Sequence, residues 1–446
     1  MSDLRQTRNS QFAIQIMDIL STYNVIIEAS AIIILSFFFN ELSRRTNIPS
    51  VLMLIILGIG VKIGIDALGV KNLDFLPILK VLGTVGLIMI VLEAALELEL
   101  KQEKLLPITK ALVIAIVGLL VSTWIAALIL HEFVDGMTMQ KAWIYATPLS
   151  ILSSAIIIPS VTGLKHDKKE FHIYESTFSD IFGIIVFYFL IAPFESHGSG
   201  HDAAHEVAEA GHGLAAYGGT ILLTIAISII ASYIIVLVFQ NIKSHTKLFL
   251  LIAVLLLLYG LGKQYHLSSL IIILIFGLVI ANMPLFFQGP LRRLWKPEKS
   301  KELYEGLHVI TMETAFVVRT FFFVIFGITI SLASLKSVEV AMVSGLIIAS
   351  IYFIRYIILR VSLGKDILPQ LFIAPRGLIT ILLFYAIPEK AEVEGFEAGI
   401  LLFTIIGTSL IMTFALIYDK RRASKAIRAA ENSPVGYEKW KAPSAE

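Results

Sequence analysis

ESTFSDIFGIIVFYFL, residues 175–190, opens an apolar run of membrane length with two carboxylates, Glu175 and Asp180. A helix needs about 20 mostly apolar residues to cross roughly 30 Å of hydrocarbon. A charged side chain there costs several kcal/mol, so its presence asks for a reason. The whole chain has the same character: 446 residues, 57% hydrophobic and 16% charged, with a mean hydropathy of +0.83. Soluble domains lie nearer 45–50% apolar and about 25% charged. The composition therefore predicts an all-α polytopic membrane protein. The absence of cysteine excludes disulfides, a thiol nucleophile and a Cys-based metal site. A net charge of +2 gives no argument for a nucleic-acid partner.

Apolar runs of spanning length fall near 21–41, 49–67, 74–98, 107–131, 140–163, 172–194, 214–240, 246–263, 267–286, 306–333, 338–362, 367–388 and 396–418, which is 13 spans. Residues 1–20 precede the first span, carry Asp3 and Asp18, and contain no cleavable small-residue motif, so no signal peptide is read there. The last span is followed by a basic tail, 419–446, too short to fold alone and expected to be amphipathic or disordered.

Lys and Arg mark the cytoplasmic loops of a membrane protein. They gather after the odd-numbered spans: Arg44/Arg45, Lys101/Lys104, Lys165/Lys168/Lys169, Lys243/Lys247, the run RRLWKPEKSK, and Arg360/Lys365. The alternate loops hold one apiece (Lys71, Lys141, Lys263, Lys336, Lys390) or none. The pattern predicts an N-terminus outside, a C-terminus in the cytoplasm and a location in the cell membrane.

Five charged residues sit inside apolar spans: Glu93, Glu175, Asp180, Arg319 and Arg376; Arg355 lies towards the cytoplasmic end of span 11. The plainer reading of a Glu–Arg couple is a structural ion pair. Arg319 has Glu93 or Glu313 as candidate partners, and a static pair is favoured because an unpaired buried charge is the costly state. Asp180 differs, because Glu175 already supplies an acid for pairing. Ser176 and Asp180, four apart, share one helix face, with Glu175 turned away. A hydroxyl beside a carboxylate is a plausible start to a hard-cation or proton site.

Two spans are interrupted. Span 5, WIYATPLSILSSAIIIPSVTGL, holds Pro148 and Pro159, and span 12, ILPQLFIAPRGLITILLF, holds Pro369 and Pro375 before Arg376 and Gly377. Proline removes a donor from the helical ladder and frees a carbonyl for other partners. They are the fifth of the first six and the fifth of the last six spans. The odd offset inverts orientation and predicts an inverted repeat with span 7 as connector, with the binding region at the breaks.

At this point the residues resemble a known family. ESTFSD at 175–180 is similar to the Glu-Ser-x-x-Asn-Asp signature of the sodium/proton exchanger branch of the monovalent cation:proton antiporters, and VLEAALELE at 91–99 resembles their Phe-Glu-Ala-Gly-Leu segment. FFFVIFGITI (321–330), IYFIRYIILR (351–360) and PRGLITI (375–381) resemble their spans 10, 11 and 12, in order. The resemblance implies a core domain, spans 4–6 and 11–13, moving against a dimerisation domain, spans 1–3 and 7–10, within 21–418, and a homodimer. It implies that Asp180 binds cation and proton in turn, that Ser176 ligates the cation, and that Glu93 stands near it or acts through water. It also implies that Glu175 pairs with Arg376 and that Arg355 balances charge where the broken helices cross. Two positions depart from the family pattern: Ser179 replaces the Asn before the aspartate, and Ala146-Thr147-Pro148 stands for Thr-Asp-Pro, with Thr147 in the place of a carboxylate. Both bear on cation preference and on stoichiometry.

The function expected is exchange of a monovalent cation, Na⁺ first and K⁺ as the alternative, for a proton, without a cofactor or enzymatic chemistry. The competing reading is a potassium efflux system or channel-like pathway, which would need a continuous polar pore. The outer loop 195–213 carries His197, His201, His205 and His212, whose plainer reading is a solvated loop rather than a zinc site. Glu28 is placed near the outer interface of span 1, and GPLRRLWKPEKSK is read as a positive-inside loop that can contact anionic lipid.

Overall fold

The computed structural model describes residues 27, 30–43, 46, 49–67, 76–98, 100, 102–161, 163–195, 206–242, 246–265, 269–293, 295–329 and 337–431. The N-terminal segment, Glu28, and His197, His201 and His205 of the outer loop lie outside them, as does the His212 side chain. Among the described residues the fold is all-helical, as a bilayer requires of a chain that must satisfy its own backbone.

In chain order the helices are α1 (Ser30–Ser43), α2 (Ser50–Ala67), α3 (Leu76–Glu97), α4 (Leu105–Phe133), α5 (Met139–Ser150), α6 (Ser154–Ser160), α7 (His166–Glu195), α8 (Glu206–Phe239), α9 (Lys247–Gln264), α10 (Ser269–Ala281), α11 (Met283–Phe286), α12 (Pro297–Thr329), α13 (Val338–Leu363), α14 (Leu378–Phe384) and α15 (Gly399–Glu431). Each predicted span falls on one of these helices or on a pair of them. Among the described residues, 8 helical stretches are long and apolar enough to cross a membrane by length and composition, the broken α5–α6 stretch included. Three boundaries differ most from expectation: α8 starts at Glu206, inside the predicted outer loop, α12 starts at Pro297, inside the predicted basic loop, and α15 runs to Glu431, so the predicted tail begins as helix. The hydroxyl caps of α5 and α13 were unremarkable polar residues in the sequence. Thr138 accepts from the Lys141 N–H and Ser337 from the Val340 N–H, each at 3.4 Å.

The helices pack in two sets. In one, α12 lies along α2 and α3, and α10 along α3, α8 and α9. In the other, α4 packs on α5, α7 and α13, and α13 on α15, with α6 and α14 tucked against α7 and α5. Small residues set the closest approach in the first set. A Cβ added to Gly58 would stand 2.2 Å from the Val324 carbonyl oxygen, and one on Gly327 would stand 2.4 Å from that of Ile55. Backbone contact of this kind is how membrane helices associate without a hydrophobic drive between them. Buried Asn282, between α10 and α11, completes the end of α3 by donating to the Leu98 carbonyl (2.8 Å) and accepting from the Leu100 N–H (2.6 Å).

Candidate functional site

The two broken spans meet inside the second set. Span 5 loses helical geometry at Ile151–Ser153, three residues beyond Pro148, while Pro148 and Pro159 themselves lie within α5 and α6. Span 12 is non-helical over 373–377, between a short 3₁₀ turn at Gln370–Phe372 and α14. A buried backbone N–H must find an acceptor, and three consecutive ones freed in span 5 do. The Leu152 N–H donates to Ser179 Oγ (3.0 Å), the Ser153 N–H to the Pro375 carbonyl (3.0 Å), and the Ser154 N–H to Asp180 Oδ2 (3.2 Å). The middle bond is the crossing itself. It is tight because residue 377 is glycine: a Cβ there would lie 2.4 Å from Ser153 Oγ.

Ser179, the departure from the family's Asn, thus holds one strand of the break, and Asp180 holds the next. Asp180 is 1% exposed. Among the described residues its second oxygen, Oδ1, has no hydrogen-bond partner, and the Ser153 and Thr177 hydroxyls are also unpartnered. An orphaned carboxylate oxygen buried in a membrane-spanning bundle is an energetic debt that a proton or a cation would cancel.

The arginines exchange the parts expected of them. Glu175 does not pair with Arg376. It is clamped by Arg355, with Nη1–Oε1 at 2.7 Å and Nη2–Oε2 at 2.9 Å, while the Arg355 Nε donates to the Gln370 carbonyl at 3.1 Å. His172, one turn back and fully buried, places Nδ1 3.4 Å from Glu175 Oε2. Arg376 instead donates from Nε to the Leu149 carbonyl (2.7 Å) and from Nη1 to that of Ala374 (3.1 Å), and its N–H is taken by Thr408 Oγ1 (3.0 Å). The physical reason is the break. Where α5 ends, its last carbonyls carry the negative end of the helix dipole with no ladder partner, and a cation satisfies both needs. Arg376 therefore caps the broken end of α5 at the crossing, and Arg355 is the partner of Glu175.

The hydroxyls carried over as cation ligands are present and buried, but their protons are spent within their own helices. Thr147 donates to the Trp143 carbonyl at 2.8 Å and Ser176 to that of His172 at 2.7 Å, leaving lone pairs only. Glu93 is held by Arg319, whose Nη2 lies 3.2 and 3.1 Å from its two oxygens, so of the two candidate partners of Arg319 it is Glu93 that pairs with it.

A cavity of about 310 Å³ lies at the bundle end that carries the basic loops. Glu93, Glu97, Arg319, Asn40 and Ser154 are among its lining residues. A smaller void of about 30 Å³, room for a water or two, lies against Ser150, Ser179, Glu175, Arg355 and Arg376. Among the described residues no group of three or more His, Asp or Glu could hold a metal ion. Glu97, His172, Thr408 and the span 5 amides were missed in the sequence. Only Glu97 left a signal there, lying four residues from Glu93 and so on the same helix face.

The family model described as sodium/hydrogen exchanger, transmembrane, matches residues 30–417. Among curated proteins no relative matches the chain. Among solved structures, one of the sodium proton antiporter MjNhaP1 from Methanocaldococcus jannaschii at pH 8 is 19% identical, with a TM-score of 0.59, covering 91% of this chain and 98% of that one. A three-dimensional electron-microscopy map of the same antiporter gives 18% identity and a TM-score of 0.60, over 94% of this chain and 99% of that one. At such identity the likeness speaks for the fold.

Proposed function

The chain belongs to the sodium/hydrogen exchanger family, and on that premise we propose that it exchanges one monovalent cation, Na⁺ first, for one proton, with Asp180 as the shared carboxylate. The observation that carries this reading is the state of Asp180: buried, bonded through one oxygen to the Ser154 N–H, and unpartnered at the other. Loaded with a proton or a cation the carboxylate is neutral, and empty it is a bare charge in low dielectric. Movement of the loaded site is thereby favoured over movement of the empty one, and exchange follows without a separate coupling device.

The two packing sets support the rest of the proposal. Spans 4–6 and 11–13 form the moving core and carry Asp180 past spans 1–3 and 7–10, which form the dimer contact, in an elevator-type cycle. Ser176, Ser179 and Thr147 offer lone pairs to the cation. The N-terminus lies outside and the C-terminus in the cytoplasm, so the 310 Å³ cavity is the cytoplasmic approach. Cation-dependent proton flux in everted membrane vesicles tests the proposal. Na⁺ or Li⁺ should collapse an imposed pH gradient, and flux of cations without counter-movement of protons would replace exchange by a channel.

A further inference from the structure

We propose that Glu97 is an outer binding station for the monovalent cation, which it passes to Asp180 from the cavity side; the inference rests on the antiport reading of Asp180. Two carboxylates, Glu93 and Glu97, line the cavity. Arg319 holds both oxygens of Glu93, so that position is already neutralised and presents the cavity with an ion pair. Glu97 has no such partner among the described residues. It is half-buried, and solvent reaches it.

The second observation lies on the other wall. Ser154 lines the same cavity and gives its N–H to Asp180 Oδ2, while Asp180 Oδ1 stays unpartnered. Glu97 is within electrostatic reach of Asp180. Ser154 connects the two carboxylates, lining the cavity with Glu97 and bonding the buried Asp180, and a cation arriving there relieves their repulsion. A negatively lined cleft with low-dielectric walls also raises the local concentration of cations.

The fold gives this station a side. Glu97 sits at the end of α3, in the set built on α2, α10 and α12, whereas Asp180 rides on α7 with α4 and α5. A carboxylate on the stationary set serves Asp180 only while the site faces this cavity. Glu97 is thus a loading residue and does not travel with the cargo.

The test uses the full-length protein in membrane vesicles of both orientations, with Na⁺ offered from one side at a time. Glu97→Gln should raise the apparent KM for Na⁺ from the cavity side about three- to tenfold, the size expected of one unit charge lost from a partly solvated site. The KM from the opposite side should stay within twofold of the parent value, and that activity also reports that the variant is folded. Glu97→Asp, which keeps the charge on a shorter arm, should show a smaller shift confined to the same side, and it carries the test should the Gln variant fail to fold. An equal shift from both sides, no shift, or loss of exchange in both directions would overturn the inference. Failure of the underlying reading is separate: it would appear as exchange surviving in Asp180→Asn, whatever Glu97 does.

Discussion

Replacing Arg355 by Met leaves Glu175 buried, 1% exposed, with the His172 ring at 3.4 Å as a polar neighbour but no cation against it. Two close bonds, 2.7 and 2.9 Å, are lost together. Breaking a buried pair from one side costs about 3–5 kcal/mol, because an uncompensated charge stays behind. At about 2.1 cal/mol/K per residue, cooperative unfolding of a chain of this length loses roughly 1 °C per kcal/mol, so the apparent Tm should fall by about 3–5 °C. The double variant Glu175→Gln/Arg355→Met removes the charge as well as its partner and should regain most of that loss. The same cycle built on Arg376 should behave differently. Arg376→Met strands the Leu149 and Ala374 carbonyls, at about 1–3 kcal/mol each, and should couple to Glu175→Gln more weakly than Arg355→Met does, since no bond joins the two side chains. Thermal unfolding of the purified protein in detergent, followed by tryptophan fluorescence, measures all five variants. Stronger coupling of Glu175 to Arg376 than to Arg355 would refute the assignment.

Asp180→Asn should keep its bond from the Ser154 N–H and remain folded, yet abolish Na⁺-driven proton movement in everted vesicles, since an amide cannot exchange a proton for a cation. Gly377→Ala should lower both stability, by about 1–3 kcal/mol, and transport, because the added Cβ meets Ser153 Oγ at 2.4 Å and Ser153 Cβ at 2.9 Å; addition of Ser153→Gly should recover part of each, and an undiminished Gly377→Ala would show that the crossing tolerates separation. Exchange should be electroneutral: in proteoliposomes, a potassium–valinomycin potential should leave the Na⁺-driven rate unchanged, whereas net charge movement would couple it by about 2.3 kcal/mol per charge per 100 mV.

Much of the bundle was legible because hydrocarbon allows few alternatives. Twenty apolar residues in a row must be helix, and prolines in spans 5 and 12 marked the interrupted ones. The exact break was not legible. Pro148 stays inside α5, and the helix opens later, at Ile151–Ser153, where Ser179, Pro375 and Asp180 supply the acceptors. Asp180 stood out by its cost in an apolar run. The partner of Glu175 did not, because Arg355 and Arg376 both lie near it in the folded chain and nothing in their spacing distinguishes a carboxylate seeker from a helix cap. That choice is made by the carbonyl of Leu149, which exists as a free acceptor only once span 5 has broken. Glu97 was not legible, because Glu93 is the carboxylate that matches the family segment and only the folded cavity brings both to one surface.

The distribution of ion pairs bears on how the molecule can move. Glu175–Arg355 joins α7 to α13, Lys168–Asp366 ties α7 to the segment after α13, and Arg376 ties span 12 to α5, so these bonds lie within one packing set. Glu93–Arg319 joins α3 to α12, and Lys247–Glu302 joins α9 to α12, within the other. A rigid-body displacement of one set against the other leaves all of them closed, at no cost in buried charge. The crossing bond from Ser153 to Pro375 also stays internal to the set that carries Asp180. Across the boundary stand Glu97 and Asp180, which repel and share no bond. The carboxylate that travels during the proposed cycle is then Asp180 alone, and it carries +1 in each direction, as a cation one way and a proton the other. Electroneutral exchange follows from that count, provided that Glu97 stays with α3 when the core moves.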